Sequence, residues 1–238
     1  MRYDLGRAYF RTPNGAPVIV WLREETNDWN TAFASLNEDE YGLRGRSLEG
    51  LCLDVGGYLG TVSIGLLVDN PNARVICVEP IPENVDLIER NASANGVSDR
   101  LTVIPGLVGR KGDEVTIAYR FEGGENELHH AFVGNASHIH SKSFPHQSVT
   151  HRASTIDDLV GDAEVAWTKV DCEGGEWGLF SEPGLEQLRY ITGEWHNTPL
   201  PDGTTGSQAL LRALLEPTHV LSITGPEGGP GGFAAVRR

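Results

Sequence analysis

From residue 51 onward, short apolar runs alternate with segments of helical periodicity, and this alternation most constrains the fold. The apolar runs have the length of strands and comprise residues 51–55, 74–79, 101–104, 115–121, 166–171 and 189–195. Strands that alternate with helices form parallel sheets. Residues 220–223 and 233–236 follow one another without a helix and indicate an antiparallel hairpin at the sheet edge. The sequence therefore predicts an α/β, Rossmann-like fold.

A glycine-rich turn follows the first of these strands. The strand ends at Asp54, and Gly56, Gly57 and Gly60 come directly after it. Glycine lets a backbone approach a ligand closely, and a helix that begins near Gly60 presents free N–H groups. Ligands of open α/β sheets bind beyond the carboxyl ends of the strands, so we expect a cofactor at this turn.

The charges beside the turn distinguish two kinds of cofactor. The glycine spacing departs from the GxGxxG pattern of dinucleotide sites, and the Asp54 carboxylate would repel a pyrophosphate. A cationic sulfonium or ammonium group suits Asp54, and Glu79 at the end of the next strand can accept bonds from ribose hydroxyls. We therefore expect S-adenosylmethionine. A nicotinamide-dependent oxidoreductase and a non-catalytic cofactor-binding protein stay open as alternatives.

Six segments resemble, in the same order, the motifs of the FkbM-type methyltransferases. They are Leu53–Gly60, Val78–Asn84, Asn91–Gly96, Ser154–Leu159, Lys169–Glu176 and Gly193–His196. The resemblance implies a class I methyltransferase fold with a mostly parallel seven-stranded sheet and S-adenosylmethionine as the cofactor. The cofactor-binding residues expected here are Asp54, Gly56, Gly57, Tyr58, Gly60, Glu79, Pro80, Asn84, Gly106 and Asp171. Gly57 and Tyr58 depart from the family pattern, and Tyr58 could contact the methionine part of the cofactor.

Acidic residues and a histidine follow the two strands that end beside the predicted methyl group. Asp171 and Glu173 come after one strand, and Glu194 and His196 alternate at the end of the next. Methyl transfer to oxygen needs a positioned acceptor and removal of its proton. We predict that these four residues are catalytic. His196 is the expected general base, because the ordinary pKa of histidine is near neutral.

Other roles stay open for the charged residues of this region. Asp171 could orient the acceptor or act as the base itself. Lys169 could neutralise neighbouring carboxylates in an internal ion pair, and Glu176 could begin a helix. We predict no metal, although carboxylate oxygens suit Mg²⁺. Its ligands would be Asp171, Glu173 and Glu194 or His196.

Two further segments are predicted to face the substrate. Residues 1–48 are expected to form an N-terminal extension that packs over the cofactor and substrate site, and residues 49–238 the methyltransferase domain. Within the extension, the expected substrate-side residues are Arg23, Asp28 and Tyr41.

Residues 121–152 hold six of the eight histidines and exceed an ordinary connection. We expect a lid or substrate loop there, with His138 and His140 facing the substrate. A solvated loop is the alternative. A zinc site is another, although the histidine spacing matches no standard zinc pattern.

Charge and composition narrow the class of partner. The formal net charge of -14 argues against binding nucleic acids or anionic lipids. Cys52, Cys77 and Cys172 lie in apolar runs without a CxxC pair, so we expect free thiols and a cytoplasmic location. We expect O-methylation of a small molecule such as a natural product, sugar or nucleoside. An oligomer is compatible with the sequence.

Overall fold

The computed structural model describes residues 4–119, 132–133, 147–200, 202–227 and 229–238. Its helices and strands are numbered in chain order. They are β1 (Leu5–Arg11), β2 (Pro17–Arg23), α1 (Asp28–Phe33), β3 (Gly50–Val55), α2 (Thr61–Asp69), β4 (Ala73–Glu79), α3 (Pro82–Ala94), β5 (Leu101–Pro105), β6 (Leu107–Val108), β7 (Glu114–Tyr119), β8 (Phe132–Val133), β9 (Gln147–Ser154), α4 (Ile156–Val160), β10 (Val165–Val170), α5 (Glu176–Phe180), β11 (Tyr190–Trp195), α6 (Gln208–Leu215), β12 (His219–Ile223) and β13 (Gly231–Arg237).

Seven strands form the central sheet in the order β12-β13-β11-β10-β3-β4-β5. The five strands from β11 to β5 pair in parallel, and α2 and α3 make two of the crossovers that parallel pairing requires. β13 runs antiparallel to both β11 and β12. This confirms the predicted α/β sheet with a C-terminal hairpin at its edge. The antiparallel strand is β13, which is second from the edge, and β12 is the edge strand.

Side chains of the central strands pack into two cores, one on each face of the sheet. Cys52 of β3 belongs to one core and its neighbour Leu53 to the other, as the two-residue period of a strand requires. Ile64 of α2 packs in the first core and Phe180 of α5 in the second. Burial of each such large side chain stabilises the fold by about 1.5–3 kcal/mol. Packing on both faces of the sheet therefore fixes the strand ends that carry the site.

The hairpin of β1 and β2 lies on the first core and does not join the central sheet. An asparagine of α3 and the asparagine that directly follows this helix satisfy backbone groups of β2. Asn91 accepts a hydrogen bond from the Trp21 N–H at 2.6 Å, and Asn95 accepts one from the Ile19 N–H at 2.9 Å. α1 follows the hairpin and continues into a π-helical turn over residues 34–38. The division of the chain at residue 48 stays a prediction.

A second, smaller sheet has the order β6-β9-β7-β8. β7 and β9 pair antiparallel from Glu114 with Arg152 to Tyr119 with Gln147. The prediction of a loop up to residue 152 is therefore wrong for residues 147–152, which belong to a strand. His138 and His140 lie outside the described residues, and so does most of the predicted lid.

The three cysteines are free thiols, with Cys52 and Cys77 buried and Cys172 partly exposed. This confirms the expectation of unpaired cysteines. Within the described ranges, no helix has both the length and the apolar character that a membrane span requires.

Candidate active site

A cavity of about 1010 Å³ opens at the carboxyl ends of β3, β4, β10 and β11. Its volume matches the upper end of the range for small-molecule sites, roughly 300–1,000 Å³. The N-terminal part of the chain lines one side through Asn27, Asn30, Thr31, Ser35, Glu40 and Tyr41. β7 lines another side through Val115, Ile117 and Tyr119. Three parts of the chain therefore bound the cavity.

The turn after β3 forms one wall of this cavity. Gly56 and Gly60 have φ values of 84° and 75°, in the left-handed region that glycine enters without strain. A Cβ atom on Gly56 would overlap the backbone oxygen of Asp171, and one on Gly57 would overlap Sγ of Cys77. The protein's own packing therefore requires glycine here, which is a different reason from the predicted approach of a ligand.

Glu79 ends β4 in the cavity wall and is 4% exposed. Its Oε2 accepts a hydrogen bond from the Tyr58 N–H at 2.8 Å. Its Oε1 accepts bonds from the Ile81 N–H and the Asn84 side-chain amide, both at 3.0 Å. Burial raises the pKa of Glu79, and these hydrogen bonds lower it in part. The carboxylate is thus fixed at the position predicted for a ribose-binding acid.

Arg23 and Asp28 form a buried ion pair behind this wall. Arg23 donates from Nε to Oδ2 of Asp28 at 2.9 Å and from Nη1 to Oδ1 of Asn84 at 2.8 Å. The Tyr58 hydroxyl donates to Oδ1 of Asp28 at 2.6 Å. The prediction that Arg23 and Asp28 face the substrate is wrong, because they are 1% and 0% exposed. They instead connect the N-terminal part to Glu79, through Asn84 and Tyr58.

Asp54 lies beneath the turn and is 1% exposed. Its Oδ2 accepts a bond from the Ser63 hydroxyl at 2.6 Å, and its Oδ1 lies 3.6 Å from Nζ of Lys169. Burial alone would lower the pKa of Lys169, but the carboxylates of Asp54 and Asp171 raise it. The predicted contact between Asp54 and a cationic cofactor is not supported, because the Lys169 ammonium pairs with that carboxylate. The alternative of an internal ion pair at Lys169 is what the structure contains.

Asp171 reaches the cavity from the end of β10. Its Oδ2 accepts a hydrogen bond from the Tyr41 hydroxyl at 2.8 Å and lies 3.9 Å from Nζ of Lys169. Burial, and then the charge of Asp171, raises the pKa of Tyr41 well above its ordinary value, so the phenol stays protonated. Tyr41 lines the cavity, unlike Arg23 and Asp28.

His196 is anchored by Glu176, a carboxylate that is 0% exposed. Oε1 of Glu176 accepts the His196 backbone N–H at 2.7 Å and lies 3.1 Å from its Nδ1. Burial alone would lower the pKa of His196, but Glu176, Glu173 and Asp171 raise it to about 9. The imidazole is therefore protonated at neutral pH and is not ready to accept a proton. The prediction of His196 as general base is not supported.

Glu194 has the properties expected of a base. It lies in β11, lines the cavity, and has 41% of its side chain exposed. Burial, with the charges of Asp171 and Glu40, raises its pKa to about 7, although His196 lowers it. Oε2 of Glu194 lies 3.9 Å from Nε2 of His196. A carboxylate with a pKa near neutral can take a proton from a substrate and release it again.

Asp171, Glu173 and His196 place one ligand atom each within 4.8 Å of one another. In the described part of the chain this group is the candidate for holding a metal ion. Glu194, which belonged to the predicted magnesium set, is not a member of it. Because histidine binds a metal only after losing its proton, a pKa of about 9 at His196 opposes binding at neutral pH.

Several further predicted residues lie in the cavity wall. They are Gly57, Tyr58, Pro80, Asn84, Gly106 and Glu173. His151, on β9, places Nε2 at 2.8 Å from the Pro80 carbonyl oxygen. The binding role of each of these residues stays a prediction.

Two residues received no role in the site from the sequence. Glu40 lines the cavity, and burial, followed by the charge of Asp171, raises its pKa. Its adjacency to Tyr41 was the available signal. Glu176 begins α5 as predicted, but its bond to His196 joins residues 20 positions apart, which only the folded chain brings together.

The chain matches the model of the methyltransferase FkbM domain over residues 54–220. A search of curated proteins finds no match. Among solved structures, the precorrin-6y C5,15-methyltransferase from Geobacter metallireducens is 13% identical, with a TM-score of 0.43 and coverage of 81% of this chain and 84% of that one.

TrmK of M. capricolum, in complex with S-adenosyl-homocysteine, is 8% identical, with a TM-score of 0.42 and coverage of 81% and 64%. The O-methyltransferase family 2 protein from Planctomyces limnophilus, in complex with apigenin, is 14% identical, with a TM-score of 0.40 and coverage of 81% and 52%. These values are low, so the assignment depends on the domain match, which covers more than half of the chain. The chain belongs to the FkbM methyltransferase family, and its cofactor is S-adenosylmethionine.

Proposed function

We propose that this chain methylates a hydroxyl group of a small molecule, with Glu194 as the general base. One observation carries the proposal: Glu194 lines the cavity at the end of β11, and its pKa is raised to about 7. A hydroxyl is a poor nucleophile while it keeps its proton. General base catalysis contributes about 10²–10⁴-fold to the rate of such steps.

The residues of the cavity suit S-adenosylmethionine, which supplies an electrophilic methyl group on a sulfonium when bound. Glu79 would hold the ribose, because Oε2 accepts one bond from the protein and keeps acceptor capacity. Asp171, Glu173 and Glu194 give the other side of the cavity a negative charge. That charge favours a cationic donor over a pyrophosphate.

The other site residues would prepare the acceptor and the base. Tyr41 and Lys169 hold the carboxyl group of Asp171 in position as a hydrogen-bond acceptor. The charge of His196 lowers the pKa of Glu194. Without that cation, burial and the Asp171 charge would hold a proton on Glu194 more tightly.

Size and charge support a small acceptor, such as a natural product, sugar or nucleoside. A cavity of about 1010 Å³ leaves room for an acceptor beside the cofactor. The net charge of -14 disfavours nucleic acids and anionic membranes as partners. Free cysteines support a cytoplasmic location.

The test uses methyl-labelled S-adenosylmethionine with a panel of sugars, nucleosides and phenols, and locates the label in each product. We expect a methyl ether. Glu194→Gln should lower kcat at least about 100-fold, whereas Glu49→Gln, at an exposed position away from the cavity, should not. Wild-type kcat/KM should rise with pH up to about 7 and then level off, because Glu194 must be ionised.

Label on nitrogen or carbon, or full activity of the Glu194→Gln variant, would contradict this proposal. Binding of S-adenosylhomocysteine without turnover of any panel member would favour the non-catalytic alternative. Membership of a methyltransferase family opposes the oxidoreductase alternative.

A further inference from the structure

His196 is held at its backbone and at its ring by two neighbouring residues of α5. Oε1 of Glu176 accepts the His196 backbone N–H at 2.7 Å, and the Trp177 indole N–H donates to the His196 carbonyl oxygen at 2.9 Å. The same Oε1 of Glu176 lies 3.1 Å from Nδ1 of the imidazole. Glu176 and Trp177 are both buried. The ring of His196 is therefore fixed in orientation, because buried groups hold its main chain and one of its nitrogens.

The other ring nitrogen of His196 faces three carboxylates. Nε2 lies 3.4 Å from Glu173, 3.8 Å from Asp171 and 3.9 Å from Glu194. Carboxylate oxygens thus lie at both ring nitrogens, so both nitrogens act as donors and the ring is positively charged. The three residues, called the wall carboxylates below, line the cavity, whereas His196 is not among the described lining residues and is mostly buried.

Glu176 also holds the turn that carries one of the wall carboxylates, Glu173. Oε2 of Glu176 accepts the Gly174 backbone N–H at 2.8 Å. Glu173 has a φ of 54°, a left-handed conformation that is costly for residues other than glycine and persists only where surrounding contacts hold it. The bond from Gly174 and the contact between Glu173 and His196 are two such contacts. One buried carboxylate therefore joins the end of β11 to the turn after β10.

We propose that Glu176 and His196 are positioning residues, which together hold the wall carboxylates where the acceptor needs them. This rests on the proposed methyl transfer to a small molecule. His196 does not touch the acceptor, because its Nδ1 serves Glu176 and its Nε2 faces the wall carboxylates.

The charged ring acts on the wall carboxylates in two ways. Carboxylates gathered around one nitrogen repel one another, and the positive charge of the ring offsets that repulsion. Because Nε2 is shared among three carboxylates, each of them keeps oxygen lone pairs for the acceptor. Their positions are thus fixed while their oxygens stay available.

The first test compares two variants of His196 in turnover of the acceptor that the labelled-methyl panel identifies. An asparagine amide reaches the position of Nδ1, and a glutamine amide reaches that of Nε2. His196→Asn should lower kcat at least about tenfold, since a misplacement of about 1 Å can cost about 100-fold. His196→Gln should retain more of the wild-type kcat. A role limited to the bond with Glu176 would give the opposite order.

The second test asks whether the two residues act as one unit. Glu176→Gln keeps the size of the side chain but loses one acceptor oxygen, so kcat should fall here too. The double variant Glu176→Gln/His196→Asn should be no slower than the slower single variant, because residues that act together are not additive. The affinity for S-adenosylhomocysteine should be that of the wild type in all of these variants.

His219→Gln is the matched control. This histidine of β12 is also buried and places Nε2 at 2.8 Å from the Leu188 carbonyl oxygen. The variant should lose stability but keep the wild-type kcat, so it measures what the loss of a buried histidine does by itself.

A measurement without turnover separates the role of this pair from methyl transfer itself. Glutamate labelled with ¹³C at the side-chain carboxyl reports on Glu173 and Glu194 by NMR in the full-length protein with bound S-adenosylhomocysteine. Both signals should shift in His196→Asn and stay in place in His219→Gln. Shifted signals without turnover of any panel member would uphold the positioning pair and reject the methyl transfer.

Four results overturn the proposal. They are unmoved carboxyl signals in His196→Asn, a higher kcat in His196→Asn than in His196→Gln, additive losses in the double variant, and weakened binding of S-adenosylhomocysteine. Turnover that requires added Mg²⁺ also overturns it, since His196 would then be a metal ligand. The comparison of kcat values holds for a methyl product on oxygen, nitrogen or carbon, so failure of hydroxyl methylation shows separately in the labelled product.

Discussion

At the scale of single residues, the carboxylates around His196, first of all Glu176, raise its pKa and keep its imidazole charged. The folded-state pKa of about 9 exceeds the ordinary value of 6.5. The folded protein therefore binds this proton more tightly than the unfolded chain does. The stabilisation is complete below pH 6.5 and is lost as the pH rises through about 9.

Urea unfolding at pH 6.5 and above pH 9 tests this linkage. The free energy of unfolding should fall more steeply in the wild type than in His196→Gln, because the variant lacks the titrating group. Parallel curves would mean that Glu176 does not hold the proton on His196.

The sequence predicted which residues lie in the site better than it predicted their protonation and their ion-pair partners. Glu79, Asp171 and Glu194 could be assigned because strand ends meet at one edge of a parallel sheet. The protonation of His196 depends on Glu176, and the role of Asp54 depends on Lys169. These partners are distant along the chain, so periodicity carries no information about them.

At the scale of elements, the turn after β3 is shaped by what it packs against. A Cβ on Gly57 would overlap Sγ of Cys77 and lie 3.0 Å from Cδ1 of Ile88. Gly57→Ala should therefore destabilise the protein by about 1–3 kcal/mol through overpacking.

Removing the sulfur provides the matched control. In the double variant Gly57→Ala/Cys77→Ala, much of the overlap is gone, so the loss should be smaller than the sum of the single variants. Urea unfolding of all four proteins should give a coupling of at least about 0.5 kcal/mol. Additive losses would show that Cys77 does not restrict this turn.

Elements with strong periodicity were predicted correctly, and those defined by distant partners were not. The central strands and α3 follow from their apolar spacing. Residues 147–152 were assigned to a loop because they end the segment 121–152, which holds six histidines and is longer than an ordinary connection. They form a strand because β7 supplies backbone partners about thirty positions earlier.

At the scale of the whole molecule, a buried ion pair joins the N-terminal part to the cofactor wall. Arg23 binds Asp28 and Asn84, and Asn84 binds Glu79. Removing one partner of a buried pair costs about 3–5 kcal/mol. Arg23→Met should lose this much stability and should also weaken the binding of S-adenosylhomocysteine.

Two controls make this prediction specific. Arg74→Met, at an exposed position of β4, should change neither property. The double variant Arg23→Met/Asp28→Leu removes both charges and should recover part of the stability. Normal cofactor binding in Arg23→Met would show that the ion pair does not support Glu79.

The most direct test of the account is a calorimetric titration of S-adenosylhomocysteine into the wild type, Glu79→Gln and Glu194→Gln. We predict one bound equivalent in the wild type and affinity about tenfold weaker in Glu79→Gln, since a charged acceptor is lost. Glu194→Gln should bind as the wild type does, because Glu194 serves the acceptor. Absence of binding to the wild type, or equal weakening in both variants, would contradict the separation of cofactor and acceptor sites.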